Sequence, residues 1–229
     1  MTQIIAHRGA SKLARENTLS AFRLALSVGA DWVELDVRRT QDGAMAIHHD
    51  PYLGDGSVIC DTAELDLPSH VPTLAAALDA CEGMGVNIEI KNEEGEPDFD
   101  GAESMAEAVV SLLHARLGRD RVLISSFHLP TIDRVRELDA TIRTAWLVDA
   151  VHADTLDTLI EHGHLVLHPW VKKVTKSLVA DCHERNVEIN TWTCDDPKRM
   201  AELISWGIDG ICTNTPDVGI DVRAKLLAG

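Results

Sequence analysis

Short apolar runs rich in β-branched residues alternate along this chain with longer stretches whose apolar positions recur every three or four residues. The runs "QIIAH" (3–7), "WVELDV" (32–37), "AMAIHH" (44–49), "VNIEIK" (86–91), "VLISSF" (122–127), "RTAWLV" (143–148), "HLVLHP" (164–169), "VEINTW" (187–192) and "GICTN" (210–214) have strand character. Helical periodicity fills residues 17–29, 73–83, 101–117, 130–138, 154–162, 175–185, 196–206 and 216–227. Asn17-Thr18, Asp196-Pro197 and Thr215-Pro216 supply caps or first-turn prolines. The alternation predicts parallel strands joined by crossover helices. One run breaks the rhythm. Residues 44–49 follow 32–37 across Asp42-Gly43, the composition of a tight hairpin turn, and read as an antiparallel second arm. Setting that arm aside leaves eight βα units, the count of an α/β-class (β/α)8 TIM barrel. The expectation is one barrel domain over 1–229, with an extra β-hairpin arm after strand 2 and a short insertion at 50–71. A doubly wound sheet is the alternative.

Barrels of this kind do their chemistry at the C-terminal ends of the strands. Here the first strand ends in His7-Arg8-Gly9. The second carries Glu34 and Asp36, which share a face because strand side chains alternate with period two. The hairpin arm ends in His49-Asp50, and the third barrel strand carries Glu89 and Lys91. Inward carboxylates repel one another and lose hydration, which is unfavourable unless a cation neutralises them. Arg8, Arg38 or Arg39 could each pair one acid. Three acids in register, with no cysteine nearby, point instead to one hard divalent ion, Mg2+ or Ca2+. His7 and His49 are the natural acid-base pair. Arg8 and Lys91 suit phosphate oxygens. His48 reads as a strand residue on the face opposite His49. The acidic stretch "NEEGEPDFDG" (92–101) reads as a solvated loop after a strand.

Composition narrows the partners. A net charge of −16 is the reverse of a nucleic-acid footprint and does not favour an anionic membrane surface. An anionic substrate must then be drawn in locally. The five cysteines, Cys60, Cys81, Cys182, Cys194 and Cys212, are scattered and never form a C-x-x-C pair, so they read as reduced core residues. The first ten residues already carry charge and no signal-peptide pattern, and no apolar run could cross a bilayer. A cytoplasmic protein without membrane insertion is expected; oligomeric state is not legible.

Taken in order, "HRG", "ENT", "ELDVRRTQDG", "HHD", "EIK", "SSF", "WT" and "GICTN" resemble the glycerophosphodiester phosphodiesterases, from His7 to Asn214. The resemblance implies a metal-dependent hydrolase of small-molecule glycerophosphodiesters, such as glycerophosphocholine, yielding sn-glycerol 3-phosphate and an alcohol. It implies metal ligands at Glu34, Asp36 and Glu89, a catalytic pair at His7 and His49, and phosphate contacts at Arg8 and Lys91. Phe127 and Trp192 match apolar walls around the glycerol, and Glu16 and Asn17 match a motif beside the site. Two departures stand out: the insertion after "HD" is short, and Asn214 stands where the family often has Asp. Two other readings are a related barrel that releases choline or ethanolamine from lysophospholipids or sphingomyelin, and a non-catalytic barrel. The first predicts disulfides and an apolar loop at the mouth. The second predicts an eroded acid-base pair, whereas both histidines stand here beside all three acids.

Overall fold

A computed structural model describes residues 1–116 and 121–228. Among the described residues the strands are β1 (Gln3–His7), β2 (Trp32–Arg39), β3 (Met45–Ile47), β4 (Gly85–Ile90), β5 (Val122–Ser126), β6 (Arg143–Val148), β7 (Val166–Pro169), β8 (Glu188–Thr191) and β9 (Gly210–Thr213). They pair in the order β1-β9-β8-β7-β6-β5-β4-β2-β3, and an additional β1–β2 pairing closes the ring. That closure makes eight parallel strands a TIM barrel and sets aside the open doubly wound sheet. Among the described strands only β3 is antiparallel, Val37 facing Ile47 and Arg39 facing Met45, as the Asp42-Gly43 turn required. Gly43 takes φ +83°, a conformation costly for any residue with a Cβ.

The helices α1 (Leu19–Val28), α2 (Leu74–Ala80), α3 (Ser104–His114), α4 (Leu129–Leu138), α5 (Thr155–Glu161), α6 (Lys176–Glu184), α7 (Pro197–Ser205) and α8 (Pro216–Ala228) follow the expected pattern within a few residues at each end. For the helix expected at 101–117, residue 117 lies outside the described residues. Four of the starts have a side-chain cap. Thr18, Thr73 and Thr175 accept a backbone N–H from the first turns of α1, α2 and α6, and Asp196 does so for α7 ahead of Pro197.

Strand β2 is buried along nearly its whole length, on both faces. Its outward set, Val33, Leu35 and Val37, joins a core with Phe22 of α1 and Leu74 of α2. Its inward set is Glu34, Asp36 and Arg38, each 4% exposed or less. Burying Arg38 requires anions, and these come from the 92–101 segment. Arg38 donates to Glu96 at 2.8 Å and to Asp98 at 2.8 Å, and its Nε donates to the His49 carbonyl at 2.7 Å. The 92–101 segment is the expected loop after β4, with Glu94, Gly95, Pro97, Phe99 and Gly101 exposed, but it is not solvated throughout. Its Asn92 and Asp98 are buried, and Asn92 Nδ2 donates to Glu103 at 3.0 Å.

The short insertion, residues 50–71, buries Leu53, Ile59 and Val71 against Ala46 of β3. Four cysteines are buried and Cys60 is partly exposed; all five are free. No described helix is long and apolar enough to cross a membrane.

Candidate active site

Register brings the candidate residues together. In parallel pairing His7 lies level with Glu34, and Asp36 level with Glu89. The three carboxylates, from strands adjacent in the ring, each offer an oxygen within 4.8 Å of the others. His7, Arg8, Glu34, His49, Glu89, Lys91, Phe127 and Trp192 line one cavity of about 300 Å3 at the C-terminal mouth.

The "HRG" turn is shaped by its backbone. Arg8 adopts φ +55°, an unfavourable region for a side-chain-bearing residue, and its N–H thereby donates to Glu34 Oε2 at 2.9 Å. Gly9 follows at φ +81°, where an added Cβ would lie 2.7 Å from Ala21. Only glycine lets α1 approach that closely. The "ENT" motif divides into three tasks. Glu16 accepts from Arg8 Nη1 at 3.0 Å, Asn17 donates to Asp36 Oδ2 at 2.8 Å, and Thr18 caps α1.

Each histidine is oriented through Nδ1. His7 Nδ1 lies 2.7 Å from Asn214 Oδ1, and the Asn214 amide donates in turn to Asp195 at 2.7 Å. His49 Nδ1 lies 2.7 Å from Asp50 Oδ1. Either contact, with the proton on Nδ1, leaves Nε2 as the free base. For His7 that atom is 3.9 Å from Glu34 Oε2. His48 bonds instead to the Asp50 carbonyl at 2.8 Å and does not line the cavity.

The electrostatics are tense without a cation. Burial, then the charges of Asp36 and Glu89, hold the Glu34 carboxyl well above the usual carboxylate range. Burial likewise pushes Glu89 up to about 7, although Lys91 donates to it at 2.9 Å. Burial would raise Asp36 too, but Arg8, with Nε 3.2 Å away, followed by His49 and Lys91, brings it below its ordinary value. Burial and then the neighbouring Arg8 lower the pKa of His7. The arginine pairing that the sequence left open is thus realised once, by Arg8 at Asp36, while Arg38 pairs with Glu96 and Asp98.

Do these residues fit a divalent ion? Glu34 Oε1 is buried with no hydrogen-bond partner among the described residues, and the ligand set is all oxygen. An orphaned buried carboxylate oxygen facing two more carboxylates suits a hard cation. The fit is good.

The wall opposite the cluster is aromatic. Phe127, just beyond β5, and Trp192, just beyond β8, meet edge to face with centroids 5.3 Å apart. Trp192 is held by its indole N–H on the His168 carbonyl at 2.8 Å. Four residues with a part in the site went unread in the sequence: Asp50, Asp195, Glu93, which pairs with Lys91 at 2.9 Å, and Asp149. Asp50 stood inside the quoted "HHD". Asp195 and Asp149 each follow a strand end closely, which was the one signal available for them.

Such a barrel mouth, with buried acids, cations and histidines around one cavity, has the form of an α/β-barrel enzyme site suited to a phosphate ester. Known proteins agree. The glycerophosphoryl diester phosphodiesterase family model matches residues 7–218. A glycerophosphodiester phosphodiesterase of Caldanaerobacter subterraneus is 30% identical over 244 residues, 98% of each chain. One of Bacillus altitudinis is 31% identical over 253 residues, 99% of this chain and 100% of that one. Among solved structures, an Oleispira antarctica phosphodiesterase in complex with the product sn-glycerol-3-phosphate is similar, with a TM-score of 0.91 and 28% identity, covering 98% of this chain and 97% of that one. The chain belongs to the glycerophosphoryl diester phosphodiesterase family, and it is an enzyme acting on glycerophosphodiesters.

Proposed function

We propose that the protein hydrolyses water-soluble glycerophosphodiesters to sn-glycerol 3-phosphate and an alcohol, with one divalent ion at Glu34, Asp36 and Glu89 and with His7 and His49 as base and acid. The observation that carries this is the orphaned Glu34 Oε1 inside a carboxylate triad flanked by two Nδ1-oriented histidines. The bound ion, Mg2+ or Ca2+, supplies Lewis-acid polarisation of the phosphate. Arg8 and Lys91 add charge to the phosphate oxygens, a fixed fork and a compact ammonium.

The roles of the two imidazoles follow from their partners. His7 has a neutral amide on Nδ1, and burial and Arg8 lower its pKa, so its Nε2 lone pair is available as the base. It takes the proton of the attacking hydroxyl, either of water or of the substrate's own glycerol, in which case water then opens the cyclic phosphate to glycerol 3-phosphate. His49 has a carboxylate, Asp50, on Nδ1 to offset a cationic ring, and it protonates the leaving alkoxide. Phe127 and Trp192 form the apolar wall along the glycerol, and Glu16, Asn17 and Asn214 hold Arg8, Asp36 and His7 in place.

The test is a panel of glycerophosphodiesters and long-chain lysophospholipids, assayed for glycerol 3-phosphate with and without chelator. The soluble diesters should show the higher kcat/KM, and chelator should abolish turnover. A preference for lysophospholipids, or full activity in excess chelator, would overturn the substrate or the metal assignment respectively.

A further inference from the structure

One acid lining the cavity is left without a partner. Asp149 directly follows β6, and by the period of two it continues the inward set of Ala145 and Leu147. It lines the same cavity as the carboxylate triad. In the ring order β6 stands diametrically opposite β1, so Asp149 faces the His7-Arg8 side across the mouth.

Its charge is singular. Glu34 accepts from the Arg8 N–H, Glu89 and Glu93 pair with Lys91, and Glu96 pairs with Arg38. Asp149 is exposed, and among the described residues it makes neither a hydrogen bond nor an ion pair. Arg8 therefore lies across the mouth from Asp149, Lys91 lies a quarter-turn from each, and Asp149 is the cavity acid with no cation of its own among the described residues. Trp192 lines the same cavity and its ring offers a π face, whereas Phe127 already has Lys91 Nζ 5.6 Å from its centroid. One carboxylate and one indole face satisfy a quaternary ammonium, which needs negative potential but no hydrogen-bond acceptors; a primary ammonium carries three donors to be matched. A neutral polyol can donate hydrogen bonds to that carboxylate but brings no positive charge to it, and an amide in its place would still accept those bonds.

We propose that Asp149 is a specificity-determining residue that favours glycerophosphodiesters whose leaving alcohol is cationic, quaternary ammonium alcohols above neutral polyols. The proposal rests on the phosphodiesterase reading above. The test compares kcat/KM for glycerophosphocholine and for glycerophosphoglycerol in the full-length protein and in Asp149→Asn, which removes the charge at nearly constant shape. The choline-to-glycerol ratio should fall about fivefold in the variant, the upper scale of one partly exposed charge pair. In the unmodified protein the ratio should also shrink with added salt. An unchanged ratio, whatever the absolute rates, overturns the role of Asp149 while hydrolysis of either diester leaves the phosphodiesterase reading standing. Failure to turn over either diester sinks both.

Discussion

Replacing Arg38 by methionine tests how far the 92–101 segment supports the site. The Arg38 side chain is fully buried, and its partner Asp98 has a side chain only 2% exposed. The substitution keeps the apolar stem and removes the guanidinium, so it strands a buried carboxylate and frees the His49 carbonyl held at 2.7 Å. Breaking a buried pair by deleting one partner costs roughly 3–5 kcal/mol, since the remaining charge is left uncompensated. For a chain of this size that corresponds to a loss of about 10 °C in melting temperature. Adding Asp98→Asn should recover at least half of the loss, because a neutral amide is far less costly to bury. Thermal denaturation of the single and double variants, beside kcat and KM, reads both effects. Catalysis should drop through kcat more than KM, because the loosened element carries His49. If Arg38→Met melted within about 3 °C of the parent, or if the double variant were no more stable than the single, the reasoning from buried charge would be wrong.

Other expectations follow from the same geometry. His7→Ala and His49→Ala should each lower kcat by roughly 10²- to 10⁴-fold with metal affinity nearly unchanged, by calorimetric titration. Glu34→Ala, Asp36→Ala and Glu89→Ala should weaken metal binding first and regain part of their activity at high metal concentration; a histidine variant losing the metal as badly would make that histidine a ligand. The kcat/KM profile of metal-saturated enzyme should carry its acidic limb below pH 6.5, where protonation removes the His7 base; a limb above pH 7 would contradict the assignment. Burial lowers His168 from 6.5 to about 3, so between those values the unfolded chain binds a proton that the native state refuses. Stability should therefore fall on acidification through that window, by about 1.4 kcal/mol per pH unit from this group. His168→Gln should flatten the slope, and an unaltered pH dependence of urea midpoints would refute it.

How much of this was visible in the residues themselves depended on range. The parallel barrel, the hairpin arm and the inward pairing of Glu34 with Asp36 follow from periods of two and 3.6 and from a turn dipeptide, all local signals. So does the oxygen-only chemistry at Glu34, Asp36 and Glu89. The partners of Arg38 were not legible, because Glu96 and Asp98 lie 58 and 60 residues away in a segment whose composition imitates a solvated loop. The inward position of Arg38, two residues after Asp36, was nonetheless a hint that buried anions had to exist somewhere. The support of His7 through Asn214 to Asp195 was likewise a tertiary fact. Sequence shows a residue type at a strand end, and only the fold shows which oxygen it faces.

The closing of the ring also sets when a working site can exist during synthesis. The first strand sits between β2 and β9, and the His7 side chain leans on a residue 207 positions downstream. At 5–20 residues per second a ribosome needs on the order of 10–40 s to deliver that partner after His7 has emerged. Throughout that interval β1 has an unpaired edge, and the acids of β2 and β4 are together without their wall. Full activity should then appear late, since a nascent chain released before Asn214 carries the whole carboxylate triad without the support that orients His7.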